Sequence, residues 1–269
     1  MKQIKGISIF DMQIFAMLSM VVDHVTFPFF SKTAPLAIAA RCFGRFAFPL
    51  YAFMLAEGYR HVRDDVDRII KHVGMLLILT VISEIPFDLI EFSQKTLSIC
   101  PLSKVNWEQS VMLTLLLGYV SLIAIDKCWK KYSTYVVFFV IVACLITYWS
   151  HSNHCLSGVL LICSLYLYLE HAEKKKYLRR VGELLLLFVF YIPIYHWAKM
   201  RLCGMEKFIT TFTSIIFFPR YITLLFVPFL LAAYKGQQGY HAPWFKKMYV
   251  FFYPAHALII GILRHIPGM

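Results

Sequence analysis

The sequence predicts an all-α integral membrane protein, a polytopic bundle of about nine transmembrane helices with a cytoplasmic N-terminus. Three observations carry this. Of its 269 residues 59% are hydrophobic and 16% charged, where soluble domains run at about 25% charged, and the mean hydropathy is +0.65. The apolar residues fall in blocks near the roughly 20 residues a helix needs to cross a bilayer, separated by short charged clusters. The basic residues sit between those blocks, mostly on alternate loops. In lipid only helices and closed barrels satisfy their own backbone, and these blocks do not alternate with period two, which excludes a barrel. The net charge of +12 follows from topology, so no nucleic-acid partner is expected.

The first block, 9–29, follows a segment that resembles the n-region of a signal peptide. No small-x-small cleavage site comes after it, and Asp23-His24 interrupts the apolar run, so a retained first helix is expected. The next blocks are 35–58, 70–90, 110–126, 133–150, 155–169, 181–198, 209–233 and 247–263. Pro219-Arg220 interrupts the eighth, which reads either as one broken span or as a re-entrant segment plus a span. With the N-terminus inside, 17 Lys and Arg lie on the inner side and 7 on the outer side of the 27. That asymmetry predicts the N-terminus in and the C-terminus out. No linker or internal repeat divides the chain, which is read as a single domain over 1–269. The seven Cys form no C-x-x-C pair and read as small buried hydrophobes.

Ionisable residues are expensive in a bilayer, are rare there, and usually face a protein interior or a wet cavity. Three helices carry them at similar depth. Folding the first two blocks about residue 32 puts Asp23 and Arg41 equally far from the turn, about 13 Å below it at 1.5 Å per residue. Arg45 follows Arg41 by four and shares its face, with Gly44 between them to allow close helix approach. Glu84 and Asp88, in Ser-Glu-Ile-Pro-Phe-Asp, are also four apart. Asp23 is expected to pair with Arg41, leaving His24 to face a cavity, where a neutral imidazole can take a proton from a hydroxyl or amine. A purely structural ion-pair network is the alternative, but buried pairs contribute little net stability. Arg220 and His256 are placed to reach the same cavity.

At the inner end of the second block, Glu57 and Arg60, with Arg63, Arg68 and Lys71, form a basic mouth. It can attract the phosphates of a cytosolic nucleotide-like donor, or it is a topology signal alone. His151 and His154 share a short outer loop. A metal site there would need a third ligand beyond two His at i and i+3, and none is expected. Lys174 to Lys176 with Arg179 and Arg180 read as topology or as contacts to anionic membrane lipids.

The stretches MLSMVVDH (17–24), GRFAFPLYAFMLAEG (44–58), SEIPFD (83–88), TLLLG (114–118), SGVLLI (157–162) and YPAHALII (253–260) resemble the TraX family of membrane proteins, named for a protein implicated in N-terminal acetylation of conjugative pilin. GRxAFPxxAFxxxEG and SEIPFD are the specific ones. That family in turn resembles the wider transmembrane acyltransferases, in which an intramembrane His serves acyl transfer from a cytosolic acyl-CoA to an acceptor at the far face. The resemblance implies His24 as the catalytic base and the inner basic mouth as the receiver of the coenzyme A phosphates. The chain departs from these patterns at Gln13, where a basic residue is common in the wider group, and at His-Ser-Asn-His-Cys-Leu (151–156), where Asp-Tyr-Gly is common in the family.

The leading expectation is an acetyltransferase of the cytoplasmic membrane. Acetyl-CoA would be the donor, with an unidentified amine or hydroxyl acceptor: a protein N-terminus or a glycan or lipid-linked group. Arg41 or Arg45 would stabilise the oxyanion, and Glu84 and Asp88 would orient these groups or bind a cationic acceptor. A transporter or flippase for a polar or lipid-linked group, and a non-enzymatic assembly factor, are the other readings.

Overall fold

The computed structural model describes residues 6–31, 33–91, 109–172, 174–200, 205–214 and 216–264. These form eleven helices: α1 Ile9–Phe29, α2 Pro35–Gly44, α3 Ala47–Val62, α4 Val66–Glu91, α5 Val111–Trp149, α6 Cys155–Ala172, α7 Tyr177–Met200, α8 Met205–Phe212, α9 Phe218–Leu224, α10 Val227–Ala232 and α11 Pro243–Arg264. Among the described residues no strand forms, and one isolated bridge pairs Ile7 with Tyr234. The all-α polytopic class expected from the sequence is the one observed.

Among the described residues seven segments are long and apolar enough to cross a membrane: Ile9–Phe29, Pro35–Val62, Val66–Ile90, Val111–Trp129, Lys131–Trp149, Cys155–Ala172 and Tyr177–Ala198. They match the first seven expected blocks. The large apolar side chains left exposed, such as Leu77, Val81 and Ile85 on α4, recur along one helix face, as lipid-facing positions do.

Three departures from simple rods shape the bundle. The second span is split into α2 and α3 at Arg45-Phe46. Pro49 has no N–H to give the Arg45 carbonyl, and the chain tightens there into i→i−3 bonds from Arg45 to Cys42 and from Phe46 to Phe43. The 39-residue α5 is two helices merged across a break at Tyr132 (φ −136°, ψ 44°). Its two ends return to one place, with the Gln109 N–H donating to the Ser150 carbonyl at 3.2 Å and the Asn153 N–H to the Gln109 carbonyl at 3.2 Å. The expected 209–233 block is the third departure. It breaks into α8, α9 and α10, with Pro at the first turns of α9 and α10, where a missing N–H costs nothing.

The α9–α10 pair runs from the level of α2, on which α9 packs, to Tyr234. There the backbone meets the start of α1, with the Ile7 N–H on the Ala233 carbonyl and the Ile9 and Phe10 N–H groups on the Gln237 and Gln238 carbonyls. Of the two readings left open for this block, the broken span fits the path. Because α11 starts after this loop, α1 and α11 begin at one end of the bundle and run parallel. The same end holds Arg60, Arg63 and the turn near Tyr132; it is the basic end of the molecule. Helix α1 itself starts cleanly: the Ser8 hydroxyl accepts from the Asp11 N–H while the Asp11 carboxylate accepts from the Ser8 N–H, a reciprocal cap.

The core is built around α6, which packs against α5, α3 and α7. Its Val159, Ile162 and Leu165 are fully buried with Phe53 and Tyr59 of α3 and Leu184 and Phe188 of α7.

Candidate functional site

At the end of the bundle opposite the basic end lies a cavity of about 240 Å³. Its walls come from the last turns of α1 and α4, the junction of α2 and α3, the start of α5, the loop before α6, the second half of α7, the end of α9 and one turn of α11. Asp23, His24, Arg41 and Arg45 all line it, as do Asn153, His154, Tyr191, Tyr195 and Tyr253.

Asp23 is the hub of the charges. Arg41 Nη1 lies 3.2 Å from Asp23 Oδ1 and Arg45 Nη2 lies 3.8 Å from the same oxygen. The Arg41 guanidinium also covers the Phe27 ring at 5.2 Å. Arg45 donates to the Tyr195 hydroxyl at 3.0 Å and to the Arg41 carbonyl at 3.4 Å, so it links α2 and α7. Close packing of α1 on α2 makes this possible. The Ser19 hydroxyl donates to the Phe43 carbonyl at 2.6 Å, and a Cβ placed on Gly44 would collide with the Asp23 Cβ. Gly44→Val is therefore expected to force the two helices apart. A loss of about 1–3 kcal/mol, the usual cost of overpacking, should be read in thermal unfolding of the purified protein in detergent; an unchanged midpoint would show that the helices do not depend on this contact.

The sequence brings both His24 and His256 to the cavity without pairing them; in the structure they are a pair. Its Nδ1 is 2.8 Å from Nε2 of His256, and the two rings lie parallel at 5.0 Å between centroids. Nδ1 of His256 in turn lies 2.7 Å from the Phe252 carbonyl. A carbonyl only accepts, so His256 Nδ1 must carry a proton. In the neutral ring its Nε2 then accepts, His24 Nδ1 donates, and Nε2 of a neutral His24 holds a lone pair. His256 thus meets His24 without lining the cavity.

The other residues singled out by sequence go elsewhere. Glu84 accepts from the Ser110 hydroxyl at 2.8 Å and from the Ser110 N–H at 3.1 Å, which ties α4 to the start of α5. Neither Glu84 nor Asp88 lines the cavity; from α4 only Phe87 and Ile90 do. Arg220 is buried on α9, one turn before the cavity residue Leu224.

Glu57 belongs to the basic end. It is buried, accepts from the Tyr234 hydroxyl at 2.9 Å and pairs with Arg60 at 2.8 Å. The expected basic mouth is not a cluster of unopposed cations. Arg60 and Arg63 both hold Glu170, at 3.1 Å and 3.0 Å, and Arg63 reaches Asp126 at 3.8 Å. Arg68 pairs with Asp65 at 2.9 Å on the exposed turn, and Lys71 is exposed. The carboxylates of Asp126 and Glu170 arrive from α5 and α6, which local sequence around residues 57–71 does not contain. The Glu170 carboxylate raises the pKa of the Arg63 guanidinium further, so that side chain stays charged.

Residues that sequence reasoning set aside enter instead. His154 comes in on the 150–155 loop, where His151 and Cys155 take left-handed backbone (φ 54° and 47°), uncommon away from glycine. Its ring stacks on Phe48 at 3.6 Å and on Tyr195 at 5.4 Å, and Tyr195 stacks on Tyr191 at 5.7 Å. The signal for it was present: 151–156 is where the chain departs from the family pattern. Among the described residues no three His, Cys, Asp or Glu side chains are grouped to hold a metal ion.

The fold and the polar cavity define a multi-pass helical membrane protein. Its chain matches the model of one family, described as TraX protein, over residues 10–264. The protein belongs to the TraX family. No curated protein and no solved structure matches it.

Proposed function

We propose that this protein is a membrane-embedded acetyltransferase, taking an acetyl group from acetyl-CoA to an amine or hydroxyl at the cavity. The observation that carries the reading is the hydrogen-bond relay from the Phe252 carbonyl through His256 to His24. It leaves a neutral His24 with a lone pair at Nε2, beside two guanidiniums on the same cavity wall. A base oriented by a third group, next to preorganised positive charge, is what acyl transfer needs. Family membership supports the same chemistry through the pilin acetylation for which the family is named.

In this reading His24 Nε2 takes the proton of the acceptor as its nitrogen or oxygen attacks the thioester carbonyl. Negative charge then collects on the carbonyl oxygen, near Arg45 or Arg41. When the tetrahedral intermediate collapses, the carbon–sulfur bond breaks and the thiolate recovers the proton from His24. Free thiol and an acetylated acceptor result. The chain would sit in the cytoplasmic membrane with its basic end inside. The phosphates of the donor would be met by Arg60, Arg63, Arg68 and Lys71, competing with Glu170 and Asp65 for the same cations.

The test uses the purified full chain in lipid nanodiscs. Binding of acetyl-CoA, followed by slow release of free thiol in the absence of acceptor, is expected. Neither binding nor thiol release, together with substrate movement across proteoliposomes without covalent change, would replace this reading with a transporter.

A further inference from the structure

Among the described residues, the charges around the cavity do not balance. Asp23 is the carboxylate that Arg41 and Arg45 share, and a third arginine, Arg220, lies close by on α9 without itself lining the cavity. Arg220 is only 7% exposed, and its Nε is buried with no hydrogen-bond partner. Its guanidinium lies over the face of the Phe217 ring at 5.2 Å. The charges acting on it are those of Arg45, Arg41 and Asp23, and α9 packs directly on α2. Among the described residues no carboxylate is paired with Arg220. Glu84 is held by Ser110, and Glu57 and Glu170 are held at the basic end.

A buried cation without a partner is strongly unfavourable, and in a membrane it is usually explained by what the site binds. From this surplus we infer that the cavity receives an anion, and that the acceptor bears a carboxylate or phosphate near its amine or hydroxyl. The class follows from the geometry. Guanidiniums match the paired oxygens of either anion. Arg45 stands 15 residues before Arg60 on the same span, roughly 22 Å at the helical rise, so this site is separate from any meeting of donor phosphates with the basic end. A volume of about 240 Å³ suits the terminal group of an acceptor rather than the whole of it. The inference rests on the acetyltransferase reading for the word acceptor, but the anion site itself does not.

The experiment measures the thermal midpoint of the full chain in nanodiscs with glycerol 3-phosphate, glucuronate, glycerol and glucose. The two anions are the probes for phosphate and carboxylate, and the neutral compounds present the same hydroxyls. Either anion is expected to raise the midpoint by about 3 °C at ten times its dissociation constant, while the neutral compounds do not. Whichever anion gives the larger shift identifies the acidic group. Arg220→Gln should abolish the shift and Arg220→Lys should retain much of it. Should Arg220→Gln fail to fold, Asp23→Asn provides the second reading, because removing the competing carboxylate should enlarge the shift. His24→Ala should leave it unchanged. No shift with either anion, an equal shift with the neutral compounds, or a shift indifferent to both Arg220→Gln and Asp23→Asn overturns the inference. Anion binding without acetyl transfer would leave this site standing and remove the proposed activity; acetyl transfer without anion binding would do the reverse.

Discussion

His24→Ala is expected to lower the rate of acetyl transfer about 10²–10⁴-fold, the range a positioned general base contributes. The loss should fall on the maximal rate rather than on donor binding, because the imidazole acts on the proton of the acceptor and not on coenzyme A. His24 sits near the end of α1, and its contact with His256 spans 232 residues of sequence, so folding has to be checked separately by the thermal midpoint. Two companion variants test the relay. Replacing His256 by Gln keeps an acceptor that can reach His24 Nδ1, whereas His256→Phe removes it. An intermediate rate for the first and a lower one for the second would mark His256 as a positioning residue. Rates within twofold of wild type for His24→Ala, at an unchanged midpoint, would exclude His24 as the base.

The Asp23–Arg41 contact was legible because it needs only two helices and a short turn. Counting residues from position 32 in each direction gives the depth, and the rest is helical rise. His24–His256 was legible as two intramembrane imidazoles but not as a pair, since no local spacing relates the first helix to the last. The parallel course of α1 and α11, set where their starting ends share the loop after Tyr234, is what aligns them. Glu84 was misjudged for the same reason in reverse. Its depth suggested the cavity, but its partner is Ser110, 26 positions on in the sequence. The basic mouth was legible in its cations but not in Glu170 and Asp126, carboxylates delivered by helices distant in sequence that pair with part of it. His154 and Tyr195 came from a loop and from α7, and nothing in their immediate neighbours marks them as members of one stacked set. The broken helices were half legible. Pro219 announced the break in the 209–233 block, whereas Pro49 acted four residues earlier, at Arg45, and the break moved Arg45 off a regular helix while keeping it on Asp23.

Asp23→Ala is expected to destabilise the protein by about 3 kcal/mol, the low end of the range for breaking one side of a buried ion pair. The low end applies because the Asp23 and Arg41 side chains each keep 18% of their exposure, so water at the cavity shares in solvating what is left. The cause is not the lost attraction alone. Without the carboxylate, Arg41 and Arg45 would lie side by side on one cavity wall with nothing between them, and Arg220 on the neighbouring α9 adds a third like charge. Arg45 would keep its bond to Tyr195, so the repulsion should bear mainly on Arg41. Adding Arg41→Met to Asp23→Ala should therefore restore part of the loss, giving a double variant more stable than Asp23→Ala by itself. That inversion is the useful measurement, because an ion pair that served only as an adhesive would give a double variant no better than the worse single one. A cavity built to hold an anion should also show it in another way. Adding glycerol 3-phosphate or glucuronate should stabilise Asp23→Ala more than wild type, since the ligand would replace the missing carboxylate between the same guanidiniums.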